Sequence, residues 1–258
     1  MMVPTPFWNR KVVLSNQLTR WGHGLTLSEK RVIALGISKL NSKEVITSNG
    51  RGYKTKIYAE EYTEVYSVSA SIAYRQMIAA AFTLPERRIS GFKPAHRRNG
   101  SAIEVVPIRW IVEARHVRGE GTVELEWNPE IVPELVGLTR EFTSYPVGVA
   151  GMLWTAAAWR IFELVSLFPK SGRASFDHED FLVSLGVPSS GRKDFGAVRR
   201  RYLVPAVEQI NSVLKMELEF TVERRGRKVS KIHFSFRTPL LSDSAIAALW
   251  KTCGKPVT

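Results

Sequence analysis

The hydrophobic pattern predicts an α+β chain of two tandem winged-helix domains, and three observations carry that expectation. The succession helix, short strand, two helices, hairpin occurs once in residues 1–140 and again in residues 141–258. Each hairpin has a basic tip that contains glycine. Charge is also concentrated in the second copy, where residues 187–237 hold 12 Lys or Arg against 5 Asp or Glu. A boundary near residue 140 divides the two domains.

In the first domain, Leu25, Leu27, Val32, Ile33, Leu35, Ile37 and Leu40 recur near helical spacing behind Ser28 and Glu29. They predict a helix over about 28–40 with Ser28 as its N-cap. A loop over 47–52 leads to an alternating strand at Thr55, Ile57 and Ala59. Two helices follow, near Glu60–Tyr66 and Ser71–Phe82. Alternation over Ile103–Glu113 and again over Thr122–Trp127, with Arg118, Gly119 and Gly121 between, predicts the hairpin.

The order then repeats. A core helix is expected over Met152–Phe168, a strand over Arg173–Phe176 and a helix over Glu179–Leu185, capped by Asp177 and ended by Gly186. A long helix spans about Lys193–Val213. Lys215–Glu223 and Lys228–Phe236 pair around Arg224, Arg225, Gly226 and Arg227. From Leu240 a short apolar segment closes the chain.

Composition narrows the function. A charged fraction of 24% with 44% hydrophobic residues describes a globular protein. The single cysteine, Cys253, excludes an intrachain disulfide and a cysteine-based zinc cluster, and it fits a reducing, cytoplasmic compartment. The apolar stretch Val149–Phe168 is long enough to span a bilayer, yet it carries Arg160 and Glu163 and reads as a buried core helix. The start of the chain, with Pro4, Pro6, Phe7 and Trp8, has no secretory pattern. A net charge of +13 favours a polyanion, whether DNA, RNA or an acidic membrane, because each phosphate neutralised releases condensed counterions.

The segment Arg192–Lys231 sharpens the choice to double-stranded DNA. Phe195, Val198 and Tyr202 stand at i, i+3 and i+7, a core-facing stripe that leaves Lys193, Gly196, Arg199 and Arg200 on the other side. Gly196 costs about 1 kcal/mol relative to Ala inside a helix and suggests a close approach there. Pro205 predicts a kink, after which Ala206, Val207 and Ile210 resume the buried stripe. A short basic half projecting outward suits the major groove. Arg199 and Arg200 are the expected base readers, since a guanidinium can bond guanine O6 and N7 together. Arg192 and Lys193 are expected on phosphates. The tip residues Arg224, Arg225, Arg227 and Lys228 reach the backbone or minor groove.

Three stretches resemble the iteron-binding initiators of theta-type plasmid replication: VVLSNQLTRWGHGLTLSEKRVIALGISKL at 12–40, AAAWRIFELVSLF at 156–168, and DFGAVRRRYLVPAVEQIN at 194–211 with ERRGRKVSKIHFSF at 223–236. The resemblance implies tandem winged helices that bind repeated origin sequences as a monomer, with the second domain dominating base contacts. It also implies a dimer, formed largely through the first domain, that represses the protein's own promoter. The host chromosomal initiator and the replicative helicase with its loader are the implied partners. A winged-helix transcriptional regulator without an origin role is the alternative.

The first domain has less to read bases with. Its second-helix candidates are Ser69, Ser71, Tyr74 and Arg75, of which Ser71 and Arg75 are expected to position phosphates; an ordinary protein interface fits the same helix. The basic run Arg87, Arg88, Lys93, Arg97 and Arg98 is a further DNA candidate, although a run of this kind is more often a solvated loop. Catalysis is not expected. There is no P-loop motif, and His23, His96, His116, His178 and His233 lack metal-ligand spacing, which weighs against a metal-dependent nickase. The cluster Asp177, His178, Glu179 and Asp180 is better explained by helix capping than by a metal. The seven tryptophans, Trp8, Trp21, Trp110, Trp127, Trp154, Trp159 and Trp250, are expected mostly in the core rather than stacked on single strands. No cofactor is expected.

Overall fold

The computed structural model describes residues 6–90, 92–93, 103–104, 107–117 and 119–237. Arg97, Arg98, Arg118, His96, Trp250, Cys253 and the segment from Leu240 lie outside them, as does the side chain of Lys93.

The chain begins with elements that the sequence pattern does not announce. Strand β1 (Lys11–Ser15) buries Val12 and Leu14, and Ser15 Oγ accepts from the Leu18 amide 2.9 Å away to cap α1 (Asn16–Arg20). Helix α2 spans Leu27–Ile37 and starts one residue earlier than expected. Its N-cap is Thr26 rather than Ser28: Thr26 Oγ1 accepts from the Glu29 amide while the Glu29 carboxylate accepts from the Thr26 amide at 2.8 Å, a reciprocal capping box. It also ends at Ile37, three residues short of the expected Leu40.

Strand β2 (Lys54–Tyr58), helix α3 (Ala59–Tyr66) and helix α4 (Ala70–Thr83) follow close to their expected places. The strand expected over 103–113 is broken up. Short strands β3 (Arg88–Ile89) and β4 (Phe92–Lys93) pair with β6 (Ile108–Arg109) and β5 (Ile103–Glu104), and Pro107, which has no N–H to give a ladder, separates the latter two. The hairpin is therefore β7 (Ile111–Val117) with β8 (Thr122–Trp127), in a sheet ordered β2–β8–β7.

Strand β9 (Phe142–Pro146) returns to pair antiparallel with β1, Lys11 opposite Pro146. It leads into α5 (Val147–Gly151) and α6 (Ala156–Val165). The latter starts at Ala156 rather than at Met152, because Thr155 Oγ1 accepts from the Ala158 amide at 3.2 Å and sets the cap there. The chain continues with β10 (Arg173–Asp177), α7 (His178–Leu185), α8 (Phe195–Val198), α9 (Val204–Leu214) and the strands β11 (Glu219–Arg225) and β12 (Lys228–Ser235), in a sheet ordered β10–β12–β11. Asp177 stands at the N-cap of α7 without a side-chain capping bond, so that part of the expectation is corrected. Gly186 closes the helix at φ 81°, as expected. Both domains thus show the winged-helix order.

One continuous core runs through both domains. Trp21, Trp110, Trp127 and Trp159 are buried in it, whereas Trp154 is 61% exposed and departs from the expected core role.

The contact between α2 and α6 is polar and buried. Lys30 of α2 meets Glu163 of α6 at 2.8 Å, Arg160 pairs with the same carboxylate, and Tyr145 donates to its other oxygen. Burial alone raises the Glu163 pKa, but the Lys30 and Arg160 cations outweigh it and hold the group below 4.5. Burial lowers Lys30 to about 8, partly offset by Glu163. His23 donates from Nε2 to the Leu18 carbonyl at 2.9 Å and accepts at Nδ1 from Arg160 at 3.2 Å, so it is the neutral tautomer. Burial, then the Arg160 and Lys30 charges, hold its pKa well below 6.5, against the Leu18 bond.

Two outcomes follow. Glu163→Gln leaves two buried cations without their carboxylate and should cost about 3–5 kcal/mol in urea denaturation. His23 contributes a pH window of its own. Above 6.5 both the folded and unfolded states hold it neutral; as pH falls below 6.5 only the unfolded chain takes up the proton, so stability declines. The melting temperature should therefore fall between about pH 7 and about pH 5.5, above the range in which Glu163 protonates, and His23→Gln should flatten that slope.

Candidate nucleic-acid interface

Helices α7 and α8–α9 form a helix-turn-helix whose turn is built by Arg192. Its Nε donates to the Val187 carbonyl at 2.8 Å and its Nη1 pairs with Glu179 at 3.1 Å. Arg192 is thus partly spent inside the turn, which the sequence reading did not foresee. Asp194 caps the next helix by accepting from the Ala197 amide at 3.0 Å, so the helix starts at Phe195 and Lys193 projects from the turn before it.

From Phe195 to Leu214 the backbone stays helical but changes pitch. Arg199–Leu203 form a π-turn between α8 and α9, with the Val204 amide bonded to the Arg199 carbonyl. Pro205 supplies the reason. It removes the amide that would bond to the Arg201 carbonyl, and its ring crowds that carbonyl, so the preceding turn widens instead of breaking. Val198 is buried and Phe195 and Tyr202 are half-buried against the core, as their spacing predicts. Beyond the proline, Ala206 and Ile210 continue the stripe, with Val207 half-buried beside it.

Gly196 is explained within the chain. A β-carbon there would lie 3.1 Å from the Asp194 capping carboxylate and 3.4 Å from the Arg200 guanidinium. The close approach inferred from the sequence is that of its own side chains.

The wing closes the other side. Arg225 and Lys228 face each other across a two-residue turn in which Gly226 takes φ 61°, and Arg224 donates to the Arg227 carbonyl at 3.1 Å. Helix and wing together bound an open cleft of about 1040 Å³. Of the sequence-predicted residues, Arg192, Lys193, Arg199, Arg224, Arg227 and Lys228 line it; Arg200 and Arg225 are exposed but do not.

Its floor was not legible beforehand. Phe220, Val222 and Val229 come up from the wing strands, and the Arg199 guanidinium lies 5.9 Å from the Phe220 ring centre. His178 joins the same wall, its ring 5.5 Å from Phe195 and edge-on. The acids on the lining are already engaged, Glu179 with Arg192 and Asp194 with the helix cap. Over residues 177–237 Arg192 pairs with Glu179 and Arg237 with Glu217, and His233 lies beside Glu223, so Lys193, Arg199, Arg227 and Lys228 have no acidic partner among the described residues.

Ser71 and Arg75 lie apart from this cleft, exposed on α4 of the first domain. Ser69 caps that helix and Ser71 Oγ lies 3.1 Å from Ser69 Oγ. Tyr74 meets His116 of β7 at 3.3 Å, which ties the helix to the hairpin. Arg87 is paired with Glu29 at 2.8 Å, while Arg88 is exposed. Among the described residues no cluster of three or more His, Cys, Asp or Glu could hold a metal, and no helix is long and apolar enough to cross a membrane.

Comparison with known proteins agrees with this geometry. Residues 11–166 match the family described as "Initiator Replication protein, WH1" and residues 177–236 the family described as "Initiator Rep protein, WH2". An uncharacterized 27.6 kDa protein of Escherichia coli is 26% identical over 225 residues, covering 84% of this chain and 91% of the relative. The PI protein of Escherichia coli is 24% identical over 256 residues, covering 88% and 82%. The crystal structure of a Pi initiator protein in complex with iteron DNA superposes with a TM-score of 0.70 at 21% identity, covering 90% of this chain and 99% of that one, and so shares its fold. Matched through both of its domains, the chain belongs to the initiator replication protein family and carries that family's two winged helices in tandem.

Proposed function

We propose that the chain starts plasmid replication by binding directly repeated double-stranded DNA at the origin, without chemistry of its own. The observation that carries this reading is the cleft between helix and wing, whose cations Lys193, Arg199, Arg227 and Lys228 have no acid opposite them among the described residues. Such charges are held in place by a helix and a two-strand turn, so little side-chain order must be gained on meeting a phosphate backbone. The relatives' printed names, an initiator and its iteron complex, point the same way.

Within this reading Arg199 and Arg200 read bases, Arg199 braced on Phe220 and Arg200 from the neighbouring face of the helix. Lys193, Arg224, Arg225, Arg227 and Lys228 hold phosphates or the minor groove, and Arg192, with its Nε and one Nη1 hydrogen engaged, offers its remaining N–H groups. Ser71 and Arg75 position the backbone from the first domain. Residues 1–140 support dimerisation and backbone contacts, and residues 141–258 dominate recognition. The host chromosomal initiator and helicase are the partners, a dimer represses the promoter, and the setting is the bacterial cytoplasm. Binding energy spent on distorting the duplex then replaces catalysis.

Fluorescence anisotropy tests the reading with duplexes built from direct repeats found by inspecting the DNA that flanks the gene. Equal affinity for these and for scrambled duplex at physiological salt sinks it. Arg199→Ala and Arg200→Ala should each cost about 1–3 kcal/mol on repeat DNA and much less on scrambled DNA. Lys228→Ala should weaken both alike and lower the slope of log affinity against log salt by about 1.

A further inference from the structure

The end of α1 and the turn after it, Arg20–Gly24, are bolted to the far end of α7, the helix that precedes the recognition helix. A β-carbon on Gly22 would lie 2.5 Å from the Val183 carbonyl oxygen, so only glycine fits between the two backbones. The Ser184 hydroxyl sits between two acceptors, the Arg20 carbonyl across the seam and the Asp180 carbonyl of its own helix. Arg160 spans the same seam. Its Nε reaches the Ser184 carbonyl at 3.0 Å and its Nη2 the Thr19 and Trp21 carbonyls, each at 2.9 Å; Nη1 bonds Glu163 and His23. All five guanidinium N–H groups are used, and the residue is 4% exposed.

Helix α7 in turn carries the recognition helix, through Arg192 on Glu179 and Phe195 on His178. An unbroken series of buried or bonded groups therefore runs from the first domain to the residues of the cleft. Two modules on a flexible link keep a high effective concentration for each other when the sites beneath them are moved apart. Two modules on a rigid frame do not, because each added base pair rotates as well as translates the second site.

We propose that Arg160 and Gly22 are positioning residues that fix the distance and rotational phase between the DNA-facing surface of α4 and the recognition helix, so that the chain measures the length of a repeat. This rests on the DNA-binding reading above. Neither residue touches DNA in this scheme; both act through α7.

The test uses the full chain and a duplex selected by it from a random pool, then the same duplex with about five base pairs, half a helical turn, inserted at its centre. The wild type should lose about tenfold or more in affinity on insertion. Gly22→Ala, which forces the seam apart without removing a charge, and Ser184→Ala, which removes one hydroxyl, should lose much less. The wild type should also melt in a single calorimetric transition. A wild type that tolerates the insertion or melts in two steps overturns the proposal, as does a folded Gly22→Ala chain with the full wild-type penalty. Failure to select any preferred duplex overturns the DNA-binding reading instead.

Discussion

Arg160 is the group on which the arrangement of the molecule turns. The ends of α1 and α7 both leave carbonyls that no helical amide can reach. At α7 the turn amides of Gly186 and Val187 satisfy Leu182 and Val183, and the Arg160 guanidinium takes the carbonyl of Ser184. At α1 it takes Thr19 and Trp21. One planar cation therefore completes the hydrogen bonding of a helix in each domain. Its charge is balanced by Glu163, which also holds Lys30. A hydrophobic replacement would leave those carbonyls buried and unpaired, a penalty of about 1–3 kcal/mol for each group.

The cleft depends on that arrangement in a second way. Its cations are of two kinds. Arg192 and Arg224 are spent partly on the chain's own carbonyls and shape the turn and the wing tip. Lys193, Arg199, Arg227 and Lys228 remain for a ligand. Of these, Arg199 lies over Phe220, part of an apolar floor that also holds Val222 and Val229.

What was legible in the sequence was local. Helices α3, α4 and α7, the closing Gly186 and the stripe Phe195, Val198 and Tyr202 follow from spacing and end signals. The correct cap of α2 was also present, as Thr26 with Glu29 three residues on, but Ser28 stood nearer to the apolar run. Strands β1 and β9 escaped notice because each is five residues long and its partner lies about 130 residues away. Arg160 and Glu163 were visible as charges that argue against a membrane span, yet Lys30, the second cation on Glu163, is 133 residues from it. In the cleft, charge counting found the arginines but could not tell Arg192, tied to Val187, from Arg199, which is not. Phe220 gave no signal beyond that of an ordinary strand residue.

The π-turn at Arg199–Leu203 has a further consequence. It stands between a half-helix that borders the cleft, seated through Phe195 and Val198, and a half-helix whose Ala206, Ile210 and Val213 are embedded in the core. A one-residue insertion or deletion in a uniform helix would rotate everything on one side of it out of register. Here the irregular turn can absorb such a change, contracting to an ordinary turn or widening, while the embedded half stays seated. The joint separates the inheritance of a stable core from the inheritance of a binding surface. Descendants of this chain can re-aim their arginines toward a new repeat without first re-solving the packing beneath them.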